Sequence, residues 1–78
     1  MLINRYDKNG IQIKLGDYLL RNDGEIFKVD LDLNTFTIGI KDKDSNYFSI
    51  LDWVKEDWEV KDYYELYPVG MGVNNWKF

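Results

Sequence analysis

The sequence predicts a mostly β domain: five short antiparallel strands closed into a small barrel, with one helical turn ahead of the last strand. Three observations predict it. The 78 residues contain no Ala, the best helix former, and their Phe, Tyr, Trp, Ile and Thr content points to strands. Turn signals recur along the chain: Asp7-Lys8-Asn9-Gly10, Asn22-Asp23-Gly24 and the polar run Asp42-Lys43-Asp44-Ser45-Asn46. Between them, apolar and polar residues alternate with a period of two.

The elements follow in order. After the Asn9-Gly10 turn and the short run Ile11-Gln12-Ile13, Gly16-Asp17 turns the chain again and Asp17–Arg21 forms the first main strand. Asn22-Asp23-Gly24 leads into Glu25–Leu33, where Phe27, Val29, Leu31 and Leu33 share one face and Lys28, Asp30 and Asp32 the other. A turn at Asn34 precedes Thr35–Lys41, with Phe36, Ile38 and Ile40 inward. Tyr47–Leu51 is a fourth strand with Phe48 and Ile50 inward. Ser49-Ile50-Leu51-Asp52 resembles a capping box, and Leu51, Val54 and Trp58 fall at helical spacing, so a helical turn is expected over Leu51–Glu56. Trp58-Glu59-Val60-Lys61 resumes strand alternation.

Five strands with this spacing describe a small SH3-like barrel, in which closure removes exposed edges. The alternative is an open antiparallel sheet covered by one helix from Ser49 to Asp57. The domain is expected to span 1–66, with 67–78 an irregular tail that holds the one proline. A chain of this size buries only about 60–65% of its unfolded surface, so aromatic side chains, each able to bury roughly 150–250 Å², must supply much of the core.

The stretch from Asp7 to Leu19, Asp-Lys-Asn-Gly-Ile-Gln-Ile-Lys-Leu-Gly-Asp-Tyr-Leu, resembles the entry to small barrels of the phage-associated YopX-type domains and, more loosely, of KOW-type domains. The resemblance implies a barrel fold and a mobile-element origin, and carries no functional residues with it. Ile, Asn, Lys, Tyr and Phe, with AT-rich codons, make up 32 of the 78 residues, which fits a low-GC host.

The missing residue types exclude chemistry. With no Cys there is no thiol nucleophile, disulfide or thiolate metal site. With no His the commonest general base and zinc ligand are gone, and Ser-His-Asp or Cys-His arrangements cannot form within the chain. The expectation is a protein that is not an enzyme and uses no cofactor. No apolar run approaches the length of a membrane span or of a signal peptide, so a cytoplasmic protein with no membrane partner is expected.

Two nine-residue units, starting at Asp30 and Asp42, share the pattern Asp-x-Asp-x-Asn-x-Phe-(Ser/Thr)-Ile. Each opens like a calcium loop, but position six is Thr35 or Tyr47 instead of Gly, and position twelve Lys41 or Trp53 instead of Glu. Turn-forming Asp and Asn is the preferred reading, and no metal site is expected. Asp30 with Asp32, and Glu56 with Asp57, are paired acids without a substrate-positioning motif beside them. Direct nucleic-acid binding is disfavoured by a net charge of −4 and by lysines scattered among acids.

The acid is not spread evenly. Residues 1–51 hold eight acids against seven bases, residues 52–67 hold six against two, and the last eleven add one lysine. The segment 52–67 also carries Trp53, Trp58, Tyr63, Tyr64 and Tyr67. Trp and Tyr dominate binding hot spots, and acids steer a basic partner. The candidate partner-binding residues are therefore Asp52, Trp53, Glu56, Asp57, Glu59, Asp62, Tyr63, Tyr64, Glu65 and Tyr67. The expected function is a protein-interaction module whose partner has a basic surface. The alternatives are a phage-type inhibitor that mimics nucleic-acid charge to block a restriction or CRISPR nuclease, and a homo-oligomeric structural subunit.

Overall fold

A computed structural model describes residues 1–67. The chain is mostly β, with antiparallel strands in two sheets. Strands β1 (Leu2–Tyr6) and β2 (Gln12–Lys14) form a hairpin. Strands β3 (Tyr18–Arg21), β4 (Ile26–Asp32), β5 (Thr37–Lys41), β6 (Tyr47–Phe48) and β7 (Trp58–Lys61) form a five-stranded sheet in the order β6-β5-β4-β3-β7. A 3₁₀ turn over Lys55–Asp57 precedes β7, and a short helix α1 (Tyr63–Leu66) follows it. The five antiparallel strands and the helical turn before the last of them are as the sequence predicts. The ladder itself is open, ending in β6 on one side and β7 on the other.

Several boundaries differ, each for a local reason. The hairpin β1–β2 adds two strands to the expected five; burial alternates along β1, but Leu2 and Tyr6 lie outward and Arg5 inward with Ile3, so no apolar–polar period marks the strand in the sequence. Leu33 and Phe36 are not inward. They occupy the β4–β5 turn at 71% and 78% exposure, with Phe36 in the left-handed region at φ 55°. The fourth strand stops at Phe48, which is itself 48% exposed. No helix spans Ser49–Asp57. Ser49 Oγ accepts from the N–H of Leu51 two residues on, which makes a local turn rather than a helix cap, and the helical turn is confined to Lys55–Asp57.

Paired residues on neighbouring strands share a face. Leu19 opposes Phe27 and Val60, Val29 opposes Ile40, and these positions form the inner face. The hairpin supplies the facing layer through Ile13, fully buried, with Ile3 and Leu15 against it. Phe27 meets Phe48 edge-on at 6.0 Å and Trp58 edge-on at 5.3 Å, so side chains from both end strands converge on one central ring.

Two buried aspartates fix how the layers join. Asp7 Oδ1 accepts from the N–H groups of Asn9 and Ile11, closing the Asn9-Gly10 turn, while Oδ2 accepts from Val60 N–H on β7. Lys8 N–H donates to Trp58 O alongside, so residues 7 and 8 cover the outer edge of β7. Asp17 accepts from Lys14 N–H and its ammonium, and Gly16 N–H donates to Val29 O, which ties the second turn to β4. These are the residues that carry the barrel-entry resemblance.

Candidate interaction surface

The segment Asp52–Tyr67 does not form one continuous surface. β7 divides it: Asp52, Trp53, Glu56 and Asp57 precede the strand, Asp62, Tyr63, Tyr64, Glu65 and Tyr67 follow it, and Glu59 lies within it.

Ahead of β7, Trp53 stacks on Trp58 with ring centroids 4.9 Å apart and planes 8° from parallel. Its indole Nε1–H donates to Tyr6 O at 2.8 Å. Trp53 is thus a half-buried brace between β1 and β7, with its polar atom already used. A shallow groove of about 390 Å³ opens beside it between Arg5-Tyr6 and Val54-Lys55-Glu56. Asp57 accepts from Asn22 Nδ2 at 2.9 Å, and its carbonyl accepts from Asn22 N–H, which fastens the 3₁₀ turn to the β3–β4 turn. Asp52 and Glu56 are exposed.

After β7, Asp62 and Glu65 form a reciprocal capping box on α1: Asp62 Oδ1 accepts from Tyr64 N–H, and Glu65 Oε1 from Asp62 N–H. The helix returns over the outer face of the sheet. Tyr63 packs on Tyr18 at 5.2 Å and on Tyr67 at 5.0 Å. Tyr67 is 4% exposed, so it belongs to this second aromatic cluster and not to the surface where the sequence placed it. Burial, with Tyr18 and Tyr63 beside it, pushes its phenol up to about 12. Tyr64 points outward at 64% exposure, edge-on to Tyr63.

The charges divide as well. Glu59 lies 3.5 Å from both Lys8 and Lys61, and Lys61 lies 3.7 Å from Glu65. Among the described residues, Asp52, Glu56, Asp57 and Asp62 make no ion pair.

Register brings together residues that sequence reasoning left scattered. Tyr47, Lys41, Lys28, Tyr18 and Lys61 are successive partners across all five strands, in one row on the outer face. Lys41 pairs with Asp30 at 3.1 Å, and Lys28 lies 5.9 Å from the centre of the Tyr18 ring. Burial raises Asp30, but hydrogen bonds from Lys41 and Leu31 N–H outweigh it and hold the carboxyl below its usual range. The calcium-like acids serve turns: Asp42 Oδ1 accepts from Asp44 and Asn46 N–H, and Oδ2 from Asn46 Nδ2. The N–H of Asn46, donated to the carboxylate, does most to hold Asp42 below its usual range.

No protein-family model, curated protein or solved structure matches the chain.

Proposed function

We propose that the chain is a non-enzymatic protein-interaction module that reads a basic partner through exposed acids and tyrosine of Asp52–Tyr67. The observation that carries this reading is the charge accounting. Asp52 and Glu56 are exposed and make no ion pair or side-chain hydrogen bond among the described residues, and Tyr64 stands exposed between the two acids of a capping box. Unmatched surface carboxylates raise the rate of encounter with a basic surface, and an exposed tyrosine supplies contact area at low entropic cost. Trp53 braces the part ahead of β7 and Tyr67 the part after it, each from beneath, and neither contacts the partner. The division by β7 weighs against charge mimicry of a nucleic-acid strand, which calls for an unbroken run of unmatched carboxylates.

The test compares capture of partners by the wild type with capture by Asp52→Lys/Glu56→Lys and by Tyr64→Ala, followed by calorimetry on the partner identified. Charge reversal is expected to lower affinity at least tenfold and to flatten its salt dependence, whereas Asp44→Lys, outside the segment, leaves both unchanged. Unchanged binding by both variants overturns the reading.

A further inference from the structure

The two end strands of the sheet are finished differently. The edge of β7 is covered by Asp7 and Lys8, as above. The opposite edge is not. Asp42 N–H donates to Asn46 O at 3.0 Å, and β6 pairs Tyr47 with Lys41 and Phe48 with Ile40. Outward-facing backbone groups recur at every second residue of an antiparallel strand, so the N–H and C=O of Ile38 point the same way as those of Ile40. β6 ends at Phe48, two residue pairs short of Ile38, and no other hydrogen bond reaches the Ile38 backbone on that side among the described residues. Gly39 permits the close approach of the chain where β6 ends: a Cβ there would lie 2.7 Å from Phe48 O.

A groove of about 350 Å³ lies between this bare edge and Ser49-Ile50-Leu51. Its two sides differ in chemistry. Ile38 and Phe48 lie on the inner face, while Asp32, paired with Thr37, lies on the outer face. Asp32 is the one charged residue lining the groove and makes no ion pair among the described residues. Leu51, 81% exposed, borders the groove, and Phe36, held outward at φ 55°, begins the edge. Bulky side chains rarely adopt that backbone conformation.

We propose that the β5 edge at Ile38 receives an extended segment of a partner protein, with apolar residues at alternate positions and a lysine or arginine between them. The backbone of the segment bonds the N–H and C=O of Ile38. Its apolar side chains meet Ile38, Phe48 and Leu51 on the inner side, and its cation meets Asp32 on the outer side. This surface is separate from the acids of Asp52–Tyr67.

The probe is the blocked peptide Thr-Val-Lys-Val-Thr, titrated into the full chain and followed by amide NMR and hydrogen exchange. Shifts are expected at Thr37–Gly39 and Phe48–Leu51, with exchange at the Ile38 amide slowed at least tenfold. Asp32→Lys is expected to weaken binding at least fivefold, and replacing the peptide's Lys by Glu restores it. Leu51→Asp, an exposed change that leaves the fold intact, also weakens binding at least fivefold. Asp52→Lys/Glu56→Lys leaves it unchanged, which separates this result from the test of the acidic surface. The proposal is overturned if the shifts fall elsewhere, or if a peptide N-methylated at the amides facing Ile38 binds equally well. It is also overturned if the Ile38 amide is already protected in a species of twice the monomer mass, because a second copy then occupies the edge.

Discussion

Asp7 Oδ2 accepts the backbone N–H of Val60 at 2.9 Å, joining residues 53 positions apart. The same fully buried carboxylate closes the first turn through Oδ1, so a single side chain satisfies three backbone donors on two elements. Asp7→Ala leaves those donors without a buried acceptor and is expected to cost about 3–5 kcal/mol, a large fraction of the stability of so small a domain. Asp7→Asn keeps the Oδ1 bonds but turns an amide donor toward Val60 N–H, at about 1.5–3 kcal/mol. Urea unfolding checks both. Equal midpoints for wild type and Asp7→Ala refute the assigned role.

The strands legible in the sequence are those with local signals. β3, β4 and β7 appear within a residue or so of their expected bounds because alternation and Asp-Gly turns are encoded in neighbouring positions. β1 is not legible because its residue types do not follow its burial, Leu2 and Tyr6 lying outward and Arg5 inward, and Phe36 continues the apolar period of β5 in sequence while its left-handed backbone holds it in the turn, outside the strand. The helix α1 was announced by Asp62-x-x-Glu65, a better capping box than the one at Ser49, but four residues are too few for periodicity to show. In the candidate site, acidity was visible as composition. Which acids are matched was not, because the Lys8–Glu59 pair spans two distant elements. The burial of Tyr67 likewise depends on α1 folding back over Tyr18.

Trp53 and Trp58 stack across the 3₁₀ turn, so Trp53→Ala is expected to act on stability, by about 2–4 kcal/mol. Trp53→Phe keeps ring contact but loses the hydrogen bond to Tyr6 O and is expected to cost about 1–2 kcal/mol. Thermal melts of both variants check the order, and near-ultraviolet circular dichroism loses the signal of the indole pair in each.

Gly39 is required by the approach of Phe48 O and not by its backbone angles. Gly39→Ala has to displace the β6 backbone, since the obstructing atom is a carbonyl and not the end of a flexible side chain. The expected cost is about 1–3 kcal/mol. Amide exchange at Ile40 and Phe48, the pair whose backbone groups face each other across β5 and β6, should accelerate in this variant, while exchange in the β3–β4 pairing stays slow.

Asp30 is held below the usual carboxylate range in the folded chain. A depressed carboxyl contributes stability that is present above its unfolded pKa and is lost as pH falls through its folded pKa. Acid unfolding should therefore begin below about pH 4, the unfolded aspartate value. Asp30→Asn should flatten that limb and leave the pH dependence of stability above neutrality unchanged. A variant whose acid limb matches the wild type counts against the Asp30–Lys41 contact.

Tyr67 predicts the opposite limb. Its phenol is pushed up to about 12 by burial, so the folded chain keeps the proton after an unfolded tyrosine has lost it. The unfolded state then binds fewer protons than the folded one above pH 10, the ordinary tyrosine value, and stability falls as pH rises from there toward 12. Tyr67→Phe removes the ionisable group while keeping the ring against Tyr63. It should extend the folded range upward in alkaline melts, at the cost of whatever the hydroxyl contributes at neutral pH. Ultraviolet titration of the phenolate absorption gives the second check. One tyrosine should ionise only together with unfolding in the wild type, and that late step should vanish in Tyr67→Phe. If the late step persists, another tyrosine carries it and the burial of Tyr67 is not what limits stability in base.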